Sequence, residues 1–368
     1  MIVLASEIIS HFNIPEGKVI FAEIYGSGHI NITVRVAVEE GEGVREYILQ
    51  KINTTVFTNP DKLMANYSGV TAFLTDKRVK AGGDPLRETL KVIPTKEGKN
   101  YYTTPAGECW RLILFVTDSV CYDRVERPEQ FYDCALAFGN FQRLLSDYPA
   151  DTLFETIPAF HNTPDRLRKL RLAVDADTQN RRMFVEKEIA FAYEREEFIG
   201  LFEREYREGN LPLKVTHNDT KLNNILFDKN TGKPICVIDL DTIMPGYSVN
   251  DFGDSIRFGA TTAAEDETDL SKVNFDISLY ELYVKGFIEG AGDGLSKREI
   301  ELLPYGAIMM TLECGMRFLT DYLEGDTYFR ISRPGHNLDR ARNQFKLVSD
   351  MEANLPKMQE IVNKYCNF

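Results

Sequence analysis

The chain has 368 residues and a formal net charge of −13 at pH 7, with 43% hydrophobic and 27% charged residues. This length exceeds what one hydrophobic core usually holds, so we expect an ordinary globular protein with two domains or lobes. The negative charge argues against nucleic acid as a partner, because phosphate backbones are bound by clustered Lys and Arg.

Six cysteines are scattered without a C-x-x-C pair, which predicts free thiols in a reducing compartment. The N-terminal residues lack the basic and apolar pattern of a signal peptide. No uncharged apolar run approaches the roughly 20 residues that span a bilayer. We therefore expect a cytoplasmic protein without a membrane partner.

Residues 1–117 are rich in predicted strands, and a strand, a glycine-containing turn and a returning strand follow one another over 19–38. Such a turn can lay backbone N–H groups over nucleotide phosphates. The candidate nucleotide contacts are Gly26, Ser27 and Gly28. Two glycines between strands are more often a plain hairpin. His29 is a candidate substrate contact at the loop tip, although an isolated loop histidine is usually just solvated.

The next predicted strand, 47–52, lies where a protein kinase carries the lysine that grips the ATP phosphates. Gln50 stands at that position, whereas Lys51 points to the opposite face because strand side chains alternate. The following helix, with Asn59 as cap and Pro60 in its first turn, has no Glu between residues 58 and 80. This part of the chain therefore holds the nucleotide without a Lys–Glu ion pair, or with Lys51 through a bulge.

Trp110 to Val116 is the last predicted strand, and the connector after it has the place of a kinase hinge whose backbone pairs with adenine. Val116 is therefore a candidate nucleotide contact, and an ordinary strand end is the alternative. We place the lobe boundary here. Residues 1–117 are predicted to form a nucleotide-binding lobe, and residues 118–368 a helical lobe with the catalytic loop and substrate site.

A helical pattern begins at Pro128, with apolar residues at three- and four-residue steps. Residues 160–164 are predicted to be a turn that starts a further helix. We interpret His161, within this turn, as a structural residue.

Residues 216–224 carry the strongest functional pattern. An acid, a lysine two residues later and an amide five residues later suit a loop that accepts a hydroxyl proton, contacts phosphate and ligates a metal. Asp219, Lys221 and Asn224 have this spacing. A solvated polar turn contains the same residue types, but their coincidence in order with Asp239, between apolar strands, favours a phosphotransfer centre.

A predicted hairpin follows, with strands 225–227 and 235–238. Asp239 comes directly after the second strand of this hairpin and 20 residues after Asp219. We therefore assign Asp239 and Asn224 as metal ligands. Asp241 is an optional further ligand or supporting residue.

The string Asp251-Phe252-Gly253 spells the D-F-G metal motif of protein kinases, but it lies 32 residues past Asp219. We interpret Asp251 and Asp254 as residues that cap a helix and form local salt bridges. Asp254 or Arg257 reaching the site is the lesser alternative.

The last hundred residues are predicted to be helical over 276–290, 296–324 with Pro304 as an interruption, and 334–365. Glu313, Arg317 and Asp321 are spaced four apart and could form a surface ion-pair ladder. Small and apolar residues surround Arg317, however, and a buried arginine needs an anionic or polar partner. Arg317 is therefore a candidate for substrate binding.

Taken together, these stretches resemble the aminoglycoside phosphotransferase and choline kinase superfamily, and more narrowly the bacterial N-acetylhexosamine 1-kinases. The resemblance covers nearly the whole chain. It rests on Tyr25 to Asn31, Tyr47 to Gln50, Thr216 to Leu226, Ile238 to Gly246, Asp251 to Ala260 and Glu313 to Leu319. It implies an α+β, bilobal, protein-kinase-like fold with a strand-rich N-terminal lobe and a helical C-terminal lobe.

The resemblance also implies ATP-dependent phosphorylation of the anomeric hydroxyl of N-acetylglucosamine or N-acetylgalactosamine. It assigns the base to Asp219, the magnesium ligands to Asn224 and Asp239, and the sugar contacts to His29 and Arg317. Gln50 replaces the superfamily's lysine.

Within that mechanism, Lys221 is expected to neutralise charge on the transferred phosphoryl group. Two alternatives stay open. One is a kinase for another alcohol, such as a different sugar, an aminoglycoside, choline or homoserine, since fold and loop are shared. The other is a non-catalytic nucleotide-binding pseudokinase.

Overall fold

The computed structural model describes residues 1–26, 30–41 and 43–366. The chain forms two compact units. Unit 1 comprises Met1–Cys121, Asp151–Pro158 and Leu226–Met244, and unit 2 comprises Tyr122–Ala150, Ala159–Ile225 and Pro245–Phe368. Unit 1 thus extends a few residues past the predicted boundary and includes two later segments of the chain.

Unit 1 is built on a six-stranded antiparallel sheet with strands β1 (Gly17–Ile24), β2 (Ile32–Glu40), β3 (Gly43–Lys51), β4 (Val92–Ile93), β5 (Tyr102–Thr103) and β6 (Cys109–Leu114). Their order in the sheet is β1-β2-β3-β6-β4, with β5 pairing to β6. β3 pairs with β2 and with β6 in an unbroken register that includes Lys51. The alternative in which Lys51 reaches a nucleotide through a bulge is therefore wrong, because Lys51 stays on the face opposite to Gln50.

Three helices accompany this sheet: α1 (Ile2–Ile9), α2 (Pro60–Lys80) and α3 (Pro85–Glu88). One face of the sheet and α1 share a hydrophobic core that includes Ile8, Val36 and Leu112. α2 begins as predicted, because the Asn59 side chain accepts a hydrogen bond from the backbone N–H of Lys62.

A three-stranded sheet completes unit 1, with strands β7 (Ser119–Val120), β9 (Ile225–Asp228) and β10 (Pro234–Val237). Their order in the sheet is β10-β9-β7. β9 and β10 confirm the predicted hairpin. The Asp228 side chain accepts hydrogen bonds from the backbone N–H groups of Asn230 and Thr231, which tightens the connecting turn.

Unit 2 is mainly helical. Its helices are α4 (Pro128–Leu144), α5 (Thr163–Ala176), α6 (Glu186–Tyr193), α7 (Glu196–Ile199), α8 (Leu201–Arg207), α9 (Ser248–Gly259), α10 (Ile277–Ala291), α11 (Lys297–Glu324), α12 (His336–Ala353) and α13 (Leu355–Tyr365). Two short strands, β8 (Lys214–Thr216) and β11 (Met244–Gly246), pair with each other. Among the described residues, no helix has both the length and the apolar composition needed to cross a membrane.

Two helix predictions at the C-terminal end are wrong in detail. Pro304 lies inside α11 without ending it, since the buried packing of that helix outweighs the loss of one backbone hydrogen bond. The predicted helix 334–365 is instead two helices that meet at Asn354, where Pro356 lies in the first turn of α13. The strand-rich unit 1 and the helical unit 2 confirm the predicted α+β class.

Candidate active site

The backbone of the predicted catalytic loop, 216–224, is held by a carboxylate on α9. Asp251 is only 1% exposed. It accepts hydrogen bonds from the backbone N–H groups of His217 (2.9 Å) and Asn218 (2.8 Å), and from the side chain of Gln142 (2.6 Å). Burial raises the pKa of the Asp251 carboxyl although these donors act in the opposite direction.

Asp254, one turn further along α9, holds the same loop by accepting a hydrogen bond from the backbone N–H of Thr220 at 3.0 Å. Its other oxygen pairs with Arg257, as predicted. Burial alone would raise the pKa of Asp254, but Arg257 and Lys221 outweigh it and hold the pKa below its usual value. The prediction that Asp251 and Asp254 cap a helix is wrong, because α9 already begins at Ser248.

The rest of the Asp251-Phe252-Gly253 string packs α9 against other helices. Phe252 is buried and meets the rings of Tyr283 and Phe287 edge-on. A Cβ on Gly253 would lie 2.2 Å from the carbonyl oxygen of Gly306 in α11, so only glycine allows the two helices to approach this closely. These contacts account for the string without a metal.

Three predicted site residues come together on the loop. The Asn224 amide nitrogen donates to the backbone oxygen of Asp219 (2.8 Å) and to its carboxylate (3.1 Å). The Lys221 amine lies 2.5 Å from the other carboxylate oxygen of Asp219. Burial would lower the pKa of Lys221, but the carboxylates of Asp219 and Asp254 outweigh it and raise the pKa above its usual value. The amine is therefore charged at neutral pH.

His217 has a structural place beside this cluster. It is fully buried, and the rings of Phe138 and Phe141 meet it edge-on. Its Nδ1 accepts a hydrogen bond from the backbone N–H of Asp219 at 3.3 Å. His217 thus supports the loop from within the core of unit 2.

The predicted metal ligand Asp239 belongs to unit 1. It is exposed and adopts a left-handed conformation, with φ 59° and ψ 56°, before a short 3-10 turn over Leu240–Thr242. Within this turn, the carboxylate of Asp241 receives a bidentate ion pair from Arg111 of β6 and a hydrogen bond from the Asn31 side chain at 2.5 Å. Asp241 therefore serves as the anchor of the turn.

Gln50 and Lys51 have different partners on the two faces of β3. The Gln50 side chain donates to Thr33 at 3.0 Å and accepts from the Arg111 Nε at 2.9 Å. The Lys51 amine pairs with Glu108 at 2.5 Å. Gln50 thus lies in the same hydrogen-bonded network as Arg111, and Lys51 lies outside it.

The remaining predicted nucleotide contacts lie in or near two connections of unit 1. Gly26 has φ 82°, a backbone conformation that favours glycine, whereas the predicted contacts Ser27, Gly28 and His29 lie outside the described residues. Val116 is buried, and its carbonyl accepts a hydrogen bond from the Ser119 side chain at 2.7 Å. The proposed nucleotide contact of Val116 stays a prediction.

Arg317 of α11 lies among aromatic rings in unit 2. Its guanidinium carbon is 5.6 Å from the ring centre of Phe160, 5.9 Å from that of Tyr328 and 5.4 Å from that of Phe329. Within residues 1–26, 30–41 and 43–366, Arg317 makes no ion pair or hydrogen bond. Its N–H donors therefore remain available for a ligand.

Glu313, one turn before Arg317 on α11, is linked to the catalytic loop through His161. Glu313 is buried and binds the Thr163 hydroxyl (2.7 Å) and the Nδ1 of His161 (2.8 Å), while the other ring nitrogen of His161 lies 3.3 Å from the backbone oxygen of Asn218. A surface ion-pair ladder is therefore the wrong interpretation of this helix, because its acids are buried and occupied. His161 links the loop to the surroundings of Arg317.

Comparison with known families identifies the chain. The family model of the phosphotransferase enzyme family, APH, matches residues 22–281, which is more than half of the chain. The chain belongs to the phosphotransferase enzyme family. The match contains the loop 216–224 and the Asp239 turn of this phosphotransferase, whereas Arg317 lies beyond it.

Solved structures show the same fold at low sequence identity. An aminoglycoside phosphotransferase from Alicyclobacillus acidocaldarius superposes with a TM-score of 0.62 at 12% identity, covering 98% of this chain and 96% of that one. A microcompartment-associated aminopropanol kinase gives 0.60 at 15% identity, with 98% and 99% covered. A spectinomycin phosphotransferase in complex with ADP and spectinomycin gives 0.57 at 13%, with 95% and 98% covered. The predicted kinase-like fold of this phosphotransferase is confirmed.

Sequence reasoning missed the roles of two residues in this phosphotransferase, because it predicts a helix cap at Asp251 and does not single out Arg111. The interpretation of His161 as a structural residue agrees with its hydrogen bonds to Glu313 and to the backbone of Asn218. An arginine in the middle of an apolar strand, Trp110-Arg111-Leu112-Ile113, is a signal that could have drawn attention, because a buried guanidinium requires a partner.

Proposed function

We propose that the protein is an ATP-dependent kinase that phosphorylates the anomeric hydroxyl of N-acetylhexosamines, N-acetylglucosamine or N-acetylgalactosamine, to the sugar 1-phosphate. The observation that carries the reaction type is the cluster of Asp219, Lys221 and Asn224 on a loop anchored by buried carboxylates. Phosphoryl transfer depends mainly on positioning and charge neutralisation, and this cluster has the groups for both.

In this proposal, Asp219 orients the sugar O1 and accepts its proton as that oxygen bonds to the γ-phosphorus and ADP leaves. Asn224 donates to the same carboxylate and keeps it oriented. The charged Lys221 amine neutralises the transferred phosphoryl group, and its pairing with Asp219 keeps it close to the carboxylate that receives the proton.

Asn224 and Asp239 are the proposed magnesium ligands, and both offer the oxygen atoms that Mg²⁺ prefers. The Asn224 nitrogen faces Asp219, so its amide oxygen points elsewhere. Among the residues that the structure describes, none donates a hydrogen bond to that oxygen. The donor set therefore fits magnesium, which when bound neutralises charge on the ATP phosphates.

ATP is the proposed phosphoryl donor. The spectinomycin phosphotransferase with the same fold contains ADP, which supports a nucleotide in this family. The proposed nucleotide contacts are Gly26, Ser27, Gly28, Gln50 and Val116. The six cysteines are free, which supports the cytoplasm as the compartment.

The surroundings of Arg317 support an acyl sugar as the acceptor rather than a cationic amino alcohol. A second guanidinium, that of Arg166, has its pKa lowered by burial and then by the nearby charge of Arg317. Its Nε is buried without a hydrogen-bond partner among the described residues. The two guanidinium charges repel an ammonium ion, whereas the N–H donors of Arg317 suit the carbonyl and hydroxyl oxygens of an N-acetyl sugar. The proposed second sugar contact is His29.

A substrate panel tests this function. ADP release with Mg²⁺ and ATP would be measured on N-acetylglucosamine, N-acetylgalactosamine, glucose, galactose, an aminoglycoside, choline and homoserine. We expect one of the two N-acetyl sugars to give the highest kcat/KM. If another alcohol is the best acceptor, the N-acetylhexosamine assignment fails while the kinase assignment stands.

A matched acceptor tests the position of transfer. The methyl glycoside of N-acetylglucosamine keeps the acetamido group and every hydroxyl except the anomeric one. We expect no ADP release above background with this compound, because the attacking O1 is blocked. Turnover with the glycoside would show transfer to another hydroxyl, and ATP binding without transfer to any acceptor would support a pseudokinase.

A further inference from the structure

The guanidinium of Arg111 is the centre of a buried network in unit 1. Arg111 is 1% exposed, lies in β6 and stacks over the Tyr67 ring at 4.4 Å. Its Nε donates to Gln50, and both terminal nitrogens donate to the carboxylate of Asp241. A guanidinium presents a planar fork that matches a carboxylate in two hydrogen bonds, so this contact fixes both distance and direction.

The network joins the sheet to the two connections in which nucleotide and metal contacts are proposed. Asn31, at the end of the glycine-containing turn, donates to Asp241 and accepts a hydrogen bond from the backbone N–H of Asn53 at 2.9 Å. The Asn66 side chain of α2 donates to the backbone oxygen of Ile243 at 2.9 Å. The turn that follows Asp239 is therefore held at two residues, Asp241 and Ile243.

The backbone of Asp239 depends on such fastening. A residue other than glycine in the left-handed region is strained by about 1 kcal/mol or more, and it persists only where its surroundings hold it. One such hold is the Arg111–Asp241 pair, two residues along the chain. Because the turn between them is a tight 3-10 turn, a shift of Asp241 is transmitted directly to Asp239.

We propose that Arg111 is a positioning residue that directs the Asp239 carboxylate towards the magnesium–nucleotide complex by anchoring Asp241. This inference rests on the proposed function for the role of Asp239. In protein kinases, a lysine at the position of Gln50 pairs with a glutamate of the following helix. Here the cation is instead Arg111 of β6, and its acidic partner is Asp241 of the turn after Asp239 rather than a residue of α2.

The test compares the full-length wild type with Arg111→Lys and with the Lys51→Gln control. Arg111→Lys keeps the charge but loses the bidentate fork. Lys51 lies on the other face of the same sheet and pairs with the partly exposed Glu108. The main readout is the Mg²⁺ concentration needed for half-maximal binding of a fluorescent ATP analogue without acceptor sugar, and the second is KM for the sugar.

We expect Arg111→Lys to raise the required Mg²⁺ concentration about 10- to 100-fold, as loss of a residue that orients a metal ligand typically does. KM for the sugar should change less than about twofold, since Arg317 lies elsewhere, and Lys51→Gln should match the wild type. If Arg111→Lys lowers only the unfolding midpoint and leaves the Mg²⁺ requirement unchanged, the positioning role is refuted.

A double variant, Arg111→Met with Asp241→Leu, separates positioning from stability. Replacing a buried ion pair by apolar residues is often neutral or stabilising, so the variant provides a folded protein without the anchor. We expect its Mg²⁺ requirement to stay raised by about 10-fold or more. Recovery of wild-type Mg²⁺ dependence would overturn the proposal.

The two proposals fail in different ways. A wild type that binds nucleotide with Mg²⁺ but phosphorylates no N-acetyl sugar contradicts the proposed substrate and leaves the role of Arg111 standing. A wild type whose nucleotide binding does not depend on Mg²⁺ contradicts the role of Arg111.

Discussion

In the loop 216–224, the carboxylates of Asp251 and Asp254 on a neighbouring helix accept hydrogen bonds from backbone N–H groups of the loop. In the turn after Asp239, the turn itself provides the carboxylate, Asp241, and the surrounding sheet provides the cation, Arg111. The anchoring carboxylates of the loop thus come from outside it, whereas the turn carries its anchoring acid, Asp241, two residues from the proposed metal ligand, Asp239.

The largest predicted effect tests whether the functional side chains of the loop are separate from its anchors. Asp219→Asn should lower kcat by about two to four orders of magnitude, because it removes the proposed proton acceptor. The free energy of unfolding should change by less than about 1 kcal/mol, since the loop backbone is held elsewhere. Steady-state kinetics and urea unfolding measure the two quantities.

The control is Asp269→Asn, at an exposed acid of unit 2 outside the loop, which should leave both quantities unchanged. Near-normal turnover of Asp219→Asn would remove Asp219 from the mechanism. A strongly destabilised but folded Asp219→Asn would break the comparison, because it would show that the loop depends on its own side chains.

The next effect concerns the anchor itself. In the wild type, the two carboxylate oxygens of Asp251 accept hydrogen bonds from the backbone N–H groups of His217 and Asn218. Asp251→Asn replaces one of these acceptors by an amide N–H₂ donor. We expect the free energy of unfolding to fall by about 2–4 kcal/mol and kcat to fall as well, because Asp219 shifts with the loop backbone.

A matched comparison for Asp251 is Asp321, another buried acid of unit 2. It accepts hydrogen bonds from the backbone N–H groups of Thr327, Tyr328 and Phe329, beside Arg317. Asp321→Asn should lower stability to a similar extent but raise KM for the sugar rather than lower kcat. Equal effects of the two variants on kcat and KM would contradict separate roles for the two acids.

The smallest effect depends on pH. Burial alone would raise the pKa of Glu313, but His161 and Arg317 outweigh burial, so the folded pKa lies below the ordinary value of 4.5. The ionised Glu313 therefore stabilises the fold above about pH 4.5, and this contribution is lost as the pH falls through the folded pKa.

Replacing Glu313 by Gln should remove that contribution. The difference in free energy of unfolding between wild type and Glu313→Gln, about 1–2 kcal/mol at neutral pH, should shrink as the pH falls below about 4.5. Urea unfolding at several pH values measures the difference. Glu301→Gln, at a partly exposed acid of α11, is the control, and a pH-independent difference for Glu313→Gln would contradict an ionised, stabilising Glu313.

Local patterns predicted much of the architecture. The alternating strands, the hairpin before Asp239 and the Asn59-Pro60 start of α2 are confirmed, because each depends on neighbouring residues and backbone preferences. The ends of the last helices were less predictable. Pro304 is tolerated inside α11 while Pro356 begins a new helix, and packing rather than the proline decides between these outcomes.

The sequence by itself determined the spacing of Asp219, Lys221 and Asn224, the position of Asp239 and hence the family, because these features lie within short stretches whose order is visible in the chain. Only the tertiary structure decided what holds them. Asp251 contacts His217 across 34 residues, Arg111 contacts Asp241 across 130, and His161 contacts Glu313 across 152. Such partners are chosen by which buried polar groups the fold brings within hydrogen-bond distance, and no local periodicity encodes that choice.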